Sequence, residues 1–104
     1  MNIDELRKYC FDDSIRVTNH ALLKMRERKI RIEQVKQCIL KGEIIEEYPD
    51  DYPFPSSLVL LNESGTPLHV VAGIGEAELW IITAYYPDSS RWEQDFKTRK
   101  GTEK

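Results

Sequence analysis

The chain holds two histidines, His20 and His69. Imidazole titrates near neutrality, at about 6.5 when unperturbed, so either residue can take or give a proton. His69 interrupts the apolar run Pro67-Leu68-His69-Val70-Val71-Ala72. A histidine in a central strand is either a buried imidazole satisfied by its neighbours or an acid/base group on the working face of a sheet. His20 is followed at i+4 and i+8 by Lys24 and Arg28, a spacing that aligns the three on one helical face. That stripe is either a solvated face or a cationic wall for an anion. Residues 24–31 carry five basic side chains against one acidic, and residues 43–51 carry five acidic ones. The net charge is −3, yet a local patch can hold phosphate, because charges beyond about 10 Å are screened in ordinary salt.

Other chemistries are poorly supported. A zinc site built from His20, His69 and a carboxylate has no HExxH, no HxH and no cysteine pair behind it. Cys10 and Cys38 lack CxxC or zinc-type spacing and read as reduced thiols. No cofactor is expected. No apolar run approaches the ~20 residues of a membrane span. The N-terminus Met1-Asn2-Ile3-Asp4-Glu5 has neither a basic nor an apolar signal region, so a cytoplasmic protein without a membrane partner is expected. At 104 residues, 40% apolar and 32% charged, residues 1–104 read as one domain with its own core.

The elements that must position these residues follow from periodicity. Ile3 to Phe11 reads as a helix, with Ile3, Leu6 and Cys10 at helical spacing and Asp4 and Glu5 in its first turn. Ile15-Arg16-Val17 is short and extended. Thr18 is the expected N-cap of a helix from Asn19 to about Lys29, with Leu22, Met25 and Lys29 on one side. Ile32 to Lys41 is a third helix, closed by Gly42 at the C′ position.

Beyond Gly42 the period becomes extended. Glu43 to Tyr48 reads as an outer strand, and three prolines between residues 49 and 55 form a loop. Ser57 to Leu61, Pro67 to Ala72 and Leu79 to Tyr85 read as further strands. Turns are expected at Asn62-Glu63-Ser64-Gly65 and, with glycines supplying the turn conformations, at residues 73–78. Asp88 or Ser89 would cap a final helix through Trp92 and Phe96 to Arg99, and Gly101 to Lys104 would be a frayed tail. The expected fold is α+β: N-terminal helices on one face of a four-stranded antiparallel sheet, then a C-terminal helix. The opposite face would be more open and available for function.

Four blocks in this order resemble a known bacterial family. They are Thr18-Asn19-His20-Ala21-Leu22-Leu23-Lys24-Met25-Arg26-Glu27-Arg28, Gly42 to Tyr48, Pro67-Leu68-His69-Val70-Val71, and Ile82-Thr83-Ala84-Tyr85-Tyr86-Pro87 with Trp92 and Arg99. Together they look like domain of unknown function 4258, over a family-like region of residues 15–99. The family's layout is similar to the RelE-like and MqsR-like ribonuclease toxins, related to the barnase and colicin nuclease group. The resemblance implies a toxin-side protein paired with a small zinc-finger-type antitoxin. Two positions depart from the pattern. Lys24 stands where arginine is usual, which keeps the charge but loses the two-pronged fit to phosphate. Tyr86 stands where an acidic residue is common.

What the resemblance implies is metal-independent cleavage of RNA, possible also on ribosome-bound mRNA. Such cleavage needs a base for the 2′-hydroxyl, an acid for the leaving 5′-oxygen and cations for the phosphate. His20, Lys24, His69 and Tyr85 are the catalytic candidates, and Arg28 and Arg99 the substrate-binding ones. His20, Lys24 and Arg28 would line one wall of a groove whose floor holds His69 and Tyr85. The alternative is a non-catalytic protein-interaction domain on the same fold. In it, Tyr85 and Trp92 are packing groups and Arg99 complements a helix end.

Overall fold

A computed structural model describes residues 2–63 and 65–101. Three helices, α1 (Ile3–Phe11), α2 (Asn19–Arg28) and α3 (Ile32–Lys41), accompany five strands. The strands are β1 (Ile15–Val17), β2 (Glu43–Tyr48), β3 (Ser56–Glu63), β4 (Thr66–Gly75) and β5 (Glu78–Tyr85). They form one sheet in the order β1-β5-β4-β3-β2. β2 to β5 pair antiparallel in sequence, whereas β1 lies parallel to β5, with Ile15 opposite Leu79 and Val17 opposite Ile81. The α+β class stands. The four-stranded antiparallel sheet is corrected to a five-stranded mixed one, because the three extended residues before Thr18 find a free edge on β5.

Local chemistry sets the helix ends. Asn2 and Glu5 form a capping box on α1, and the Thr18 hydroxyl accepts from the Ala21 amide at the start of α2. α2 stops at Lys29, whose φ of 59° is left-handed. Its buried side chains are Ala21 and Met25, while Leu22 points outward. The expected pairing of Leu22 with Met25 therefore rotates by one residue, which puts a small side chain against β5. Gly42 ends α3 in an extended conformation and not the left-handed one expected. A Cβ there would collide with the carbonyls of Cys38 and Leu60, so the glycine serves close approach.

The turn between β4 and β5 is also not the one expected. Glu76 and Ala77 take positive φ, at 54° and 61°, as a two-residue hairpin turn of this hand requires. Gly75 lies within β4, where a Cβ would run into the Phe54 ring.

The sheet has two different covers. On one face the helices supply Leu6, Ala21, Met25, Val35, Cys38 and Ile39, packed against Val59, Leu68, Val70, Ala72, Leu79, Ile81 and Ala84. Each fully buried Leu, Ile or Val contributes about 1.5–3 kcal/mol through removal from water. The strand register puts Glu46, Leu58 and Val71 in one row on the other face, with Leu60, His69 and Tyr85 in the next. That face is not open around His69: residues 88–101 cross it.

Among the described residues, no C-terminal helix forms. Asp88 begins a single turn, with its carbonyl accepting from Arg91 and Trp92. Asp95 Oδ1 then accepts from the amides of Lys97 and Thr98, Phe96 adopts a φ of 57°, and the chain reverses. An aspartate that bonds the backbone locally competes with helix, and here it wins. Trp92 and Arg99 become partners across a small antiparallel bridge. Of the expected frayed tail Gly101–Lys104, residues 102–104 lie outside the described residues, as does the expected turn residue Ser64. Among the described residues, no helix is long and apolar enough to cross a membrane.

Candidate active site: an arginine–tyrosine cleft over a buried histidine

His69 is fully enclosed. Its Nε2 lies 2.8 Å from the Phe96 carbonyl oxygen, which can only accept, so Nε2 carries the proton. Nδ1 is then the acceptor, and the Tyr85 hydroxyl donates to it at 3.2 Å. Tyr85 reaches it because the two residues are register partners on adjacent strands. The Trp92 ring stands edge-on to the imidazole at 4.6 Å and the Tyr85 ring at 5.2 Å. Desolvation pushes the His69 pKa below its ordinary value; the Phe96 hydrogen bond and Glu46 oppose this. The ring is therefore neutral at neutral pH.

Charged and phenolic side chains bond one another beside this core. Arg99 donates from Nε and Nη2 to the two carboxylate oxygens of Glu46, each at 2.9 Å. Its guanidinium also lies over the Trp92 ring, 4.6 Å from the centroid. A stacked cation of this kind adds about 0.5–1 kcal/mol at an exposed site. The Tyr48 hydroxyl donates to Glu46 at 2.6 Å. The Arg99 hydrogen bond holds the Glu46 carboxyl below the usual range, while burial and Glu46 push Tyr48 up to about 12.

Beside this network a cleft of about 560 Å³ opens between the end of α2, the end of β5 and residues 88–99. Arg28, Arg91 and Arg99 line it together with Tyr85, Tyr86 and Trp92; Asp88 is its acidic member. Arg28 is held by donation to the Ala84 carbonyl at 2.8 Å, on the stretch of β5 that extends beyond β1. Burial raises the Tyr85 pKa while Arg99 and Arg28 lower it, so the phenol keeps its proton at neutral pH.

Of the six residues singled out from the sequence, Arg28, Arg99 and Tyr85 line this cleft, and His69 lies behind Tyr85. His20 and Lys24 do not line it. His20 is exposed on the first turn of α2, and Lys24 is ion-paired with Glu27 at 3.4 Å. The grouping of His20 and Lys24 as a wall over a His69 floor does not form. α2 packs its Ala21 and Met25 against the opposite face of the sheet from His69. Arg91, Tyr86, Glu46 and Tyr48 were missed. A tryptophan flanked by an arginine and followed seven residues later by another was the available signal for Arg91 and Arg99 together.

The fold and cleft define a small α+β domain that presents three arginines and two tyrosines over an enclosed, neutral histidine. Its sequence matches the model of the family described as Domain of unknown function (DUF4258) over residues 17–86, and the chain belongs to that family. No curated protein and no solved structure matches it.

Proposed function

We propose that the chain is a toxin-type, metal-independent endoribonuclease acting on mRNA, free or ribosome-bound, and held in check by a small zinc-finger-type antitoxin. The convergence of Arg28, Arg91 and Arg99 on a cleft that also contains the His69-bonded Tyr85 carries this reading. Arginine's planar fork suits a phosphodiester, and fixed cations stabilise the charge that builds on it. The 2′-oxygen attacks phosphorus as its proton passes to Tyr85 Oη and the Tyr85 proton passes to His69 Nδ1. The bond from phosphorus to the 5′-oxygen breaks. That oxygen takes a proton from water, and His69 returns its own through Tyr85 to the hydroxide left behind. The products are a 2′,3′-cyclic phosphate and a 5′-hydroxyl. Tyr85 touches substrate in this scheme, and His69 acts through it.

Lys24 lies one turn before Arg28 and extends the cationic surface along α2. Leu22 and Leu23 stand exposed beside it, at 43% and 55%. An antitoxin with acidic and apolar side chains fits that mixture.

A second reading, a non-catalytic interaction domain, is favoured by one observation. Both His69 nitrogens are already engaged, and the ring pins the 88–101 segment to the sheet as a structural group would. Labelled RNA, with and without translating ribosomes, separates the two. The enzyme reading expects products ending in cyclic or 3′-phosphate, an intact DNA control and no effect of EDTA. Absence of cleavage in both settings, with no growth inhibition on expression, selects the interaction domain.

A further inference from the structure

We infer that Tyr86 is the stacking platform for one base of a single-stranded nucleic acid, with the adjacent phosphate on the arginines. The inference rests on the cleft's binding RNA and adds how it holds a base.

Among the aromatic residues of the cleft, Trp92 is buried and Tyr85 is tied to His69. Tyr86 is 39% exposed. Its hydroxyl accepts from Gln34 Nε2 at 2.9 Å, so α3 fixes where the ring stands. An exposed ring held in place loses little freedom when a base settles on it.

Tyr86 also separates two hollows of opposite character. On one side lies the cleft with three arginines and one aspartate. On the other lies a hollow of about 350 Å³, floored by Leu61 and Leu68 and edged by the amides of Gln34 and Gln37. Its charged members are Arg31, Glu33 and Glu63. Two carboxylates against one guanidinium disfavour phosphate there. An uncharged base, with an apolar face and hydrogen-bonding edges, fits that lining. The phosphate and its base thus fall on opposite sides of Tyr86.

The probe is a short fluorescein-labelled RNA whose 2′-oxygens are methylated, so it cannot be cleaved, compared with an abasic strand of equal length. The wild type should bind the base-bearing strand about tenfold more tightly, as stacking on one aromatic ring provides. Tyr86→Ala should bring that ratio to about twofold or less by weakening the base-bearing strand more than the abasic one. Tyr86→Phe should keep most of the ratio, and Gln34→Ala should lose part of it. Equal discrimination by wild type and Tyr86→Ala overturns the inference, as does failure of the wild type to bind either strand. Intact discrimination without cleavage of ordinary RNA, free or on translating ribosomes, and without growth inhibition on expression, supports the platform and rejects the ribonuclease reading. Cleavage with no dependence of binding on Tyr86 does the reverse.

Discussion

The Tyr85 hydroxyl lies 3.2 Å from His69 Nδ1, while the opposite nitrogen of the same ring is pinned to the Phe96 carbonyl at 2.8 Å. One imidazole thus ties the centre of the sheet to a cleft-lining phenol on one side and to the C-terminal segment on the other. The sheet positions Tyr85, and the segment fixes the tautomer that lets His69 accept its proton.

Acid should loosen this arrangement in two stages. His69 has its pKa lowered in the folded chain, so the unfolded chain binds the proton more readily. Its contribution is fully present above about pH 6.5 and is lost as pH falls through that value towards the folded pKa. Glu46 is also lowered, from 4.5, so its contribution is lost further down. Urea unfolding followed by Trp fluorescence should show stability falling first as pH drops below about 6.5, then more steeply below about 4.5. His69→Gln should remove the first stage only. A wild-type profile flat from pH 7 to 5 contradicts this.

The C-terminal segment should depend on its tryptophan more than on its ion pair. Trp92 is buried against His69, so Trp92→Ala should cost about 3–5 kcal/mol. The Glu46–Arg99 pair is partly exposed, at 24% and 50%, so Glu46→Gln should cost only about 0.5–1 kcal/mol. Thermal melts of both variants check the ranking. A larger loss for Glu46→Gln would reverse it.

Arginines that meet phosphate should show themselves in salt. Arg91→Ala should weaken binding of single-stranded RNA regardless of sequence and reduce the slope of log affinity against log salt by about 0.7. Lys24→Ala, outside the cleft, should change the slope by less than half as much. An effect of Lys24 as large as that of Arg91 would return the α2 stripe to the binding site.

The proposed antitoxin surface on α2 is testable apart from the cleft. Leu23→Asp should abolish capture of an acidic partner from the native host, while Arg91→Ala should leave it intact. Loss with Arg91→Ala and not with Leu23→Asp would place the partner in the cleft.

Much of this architecture was legible because period and punctuation agree. Helix α3 and strand β2 stand where the switch from helical to extended spacing at Gly42 puts them. The alternation about His69 also placed it opposite Leu68 and Val70. Two features were hidden for physical reasons. Strand β1 is three residues long, too short to declare its partner, and its parallel pairing is decided by β5. Trp92, Phe96 and Arg99 mimic helical spacing, yet Asp95 turns the chain and makes Trp92 and Arg99 cross-strand neighbours. That misreading hid Arg91 and the cleft. The stripe of His20, Lys24 and Arg28 is real as a helix face, but only its last member reaches the cleft.

The most direct measurement is the single-turnover cleavage rate of Tyr85→Phe against wild type, on the same labelled RNA. The substitution keeps the ring and removes only the hydroxyl that bonds His69 and that we propose takes the substrate's proton. With circular dichroism and RNA affinity unchanged, the rate should fall by about 10²–10⁴-fold, the usual loss for one proton-transferring group. A Tyr85→Phe rate within about threefold of wild type would contradict the account.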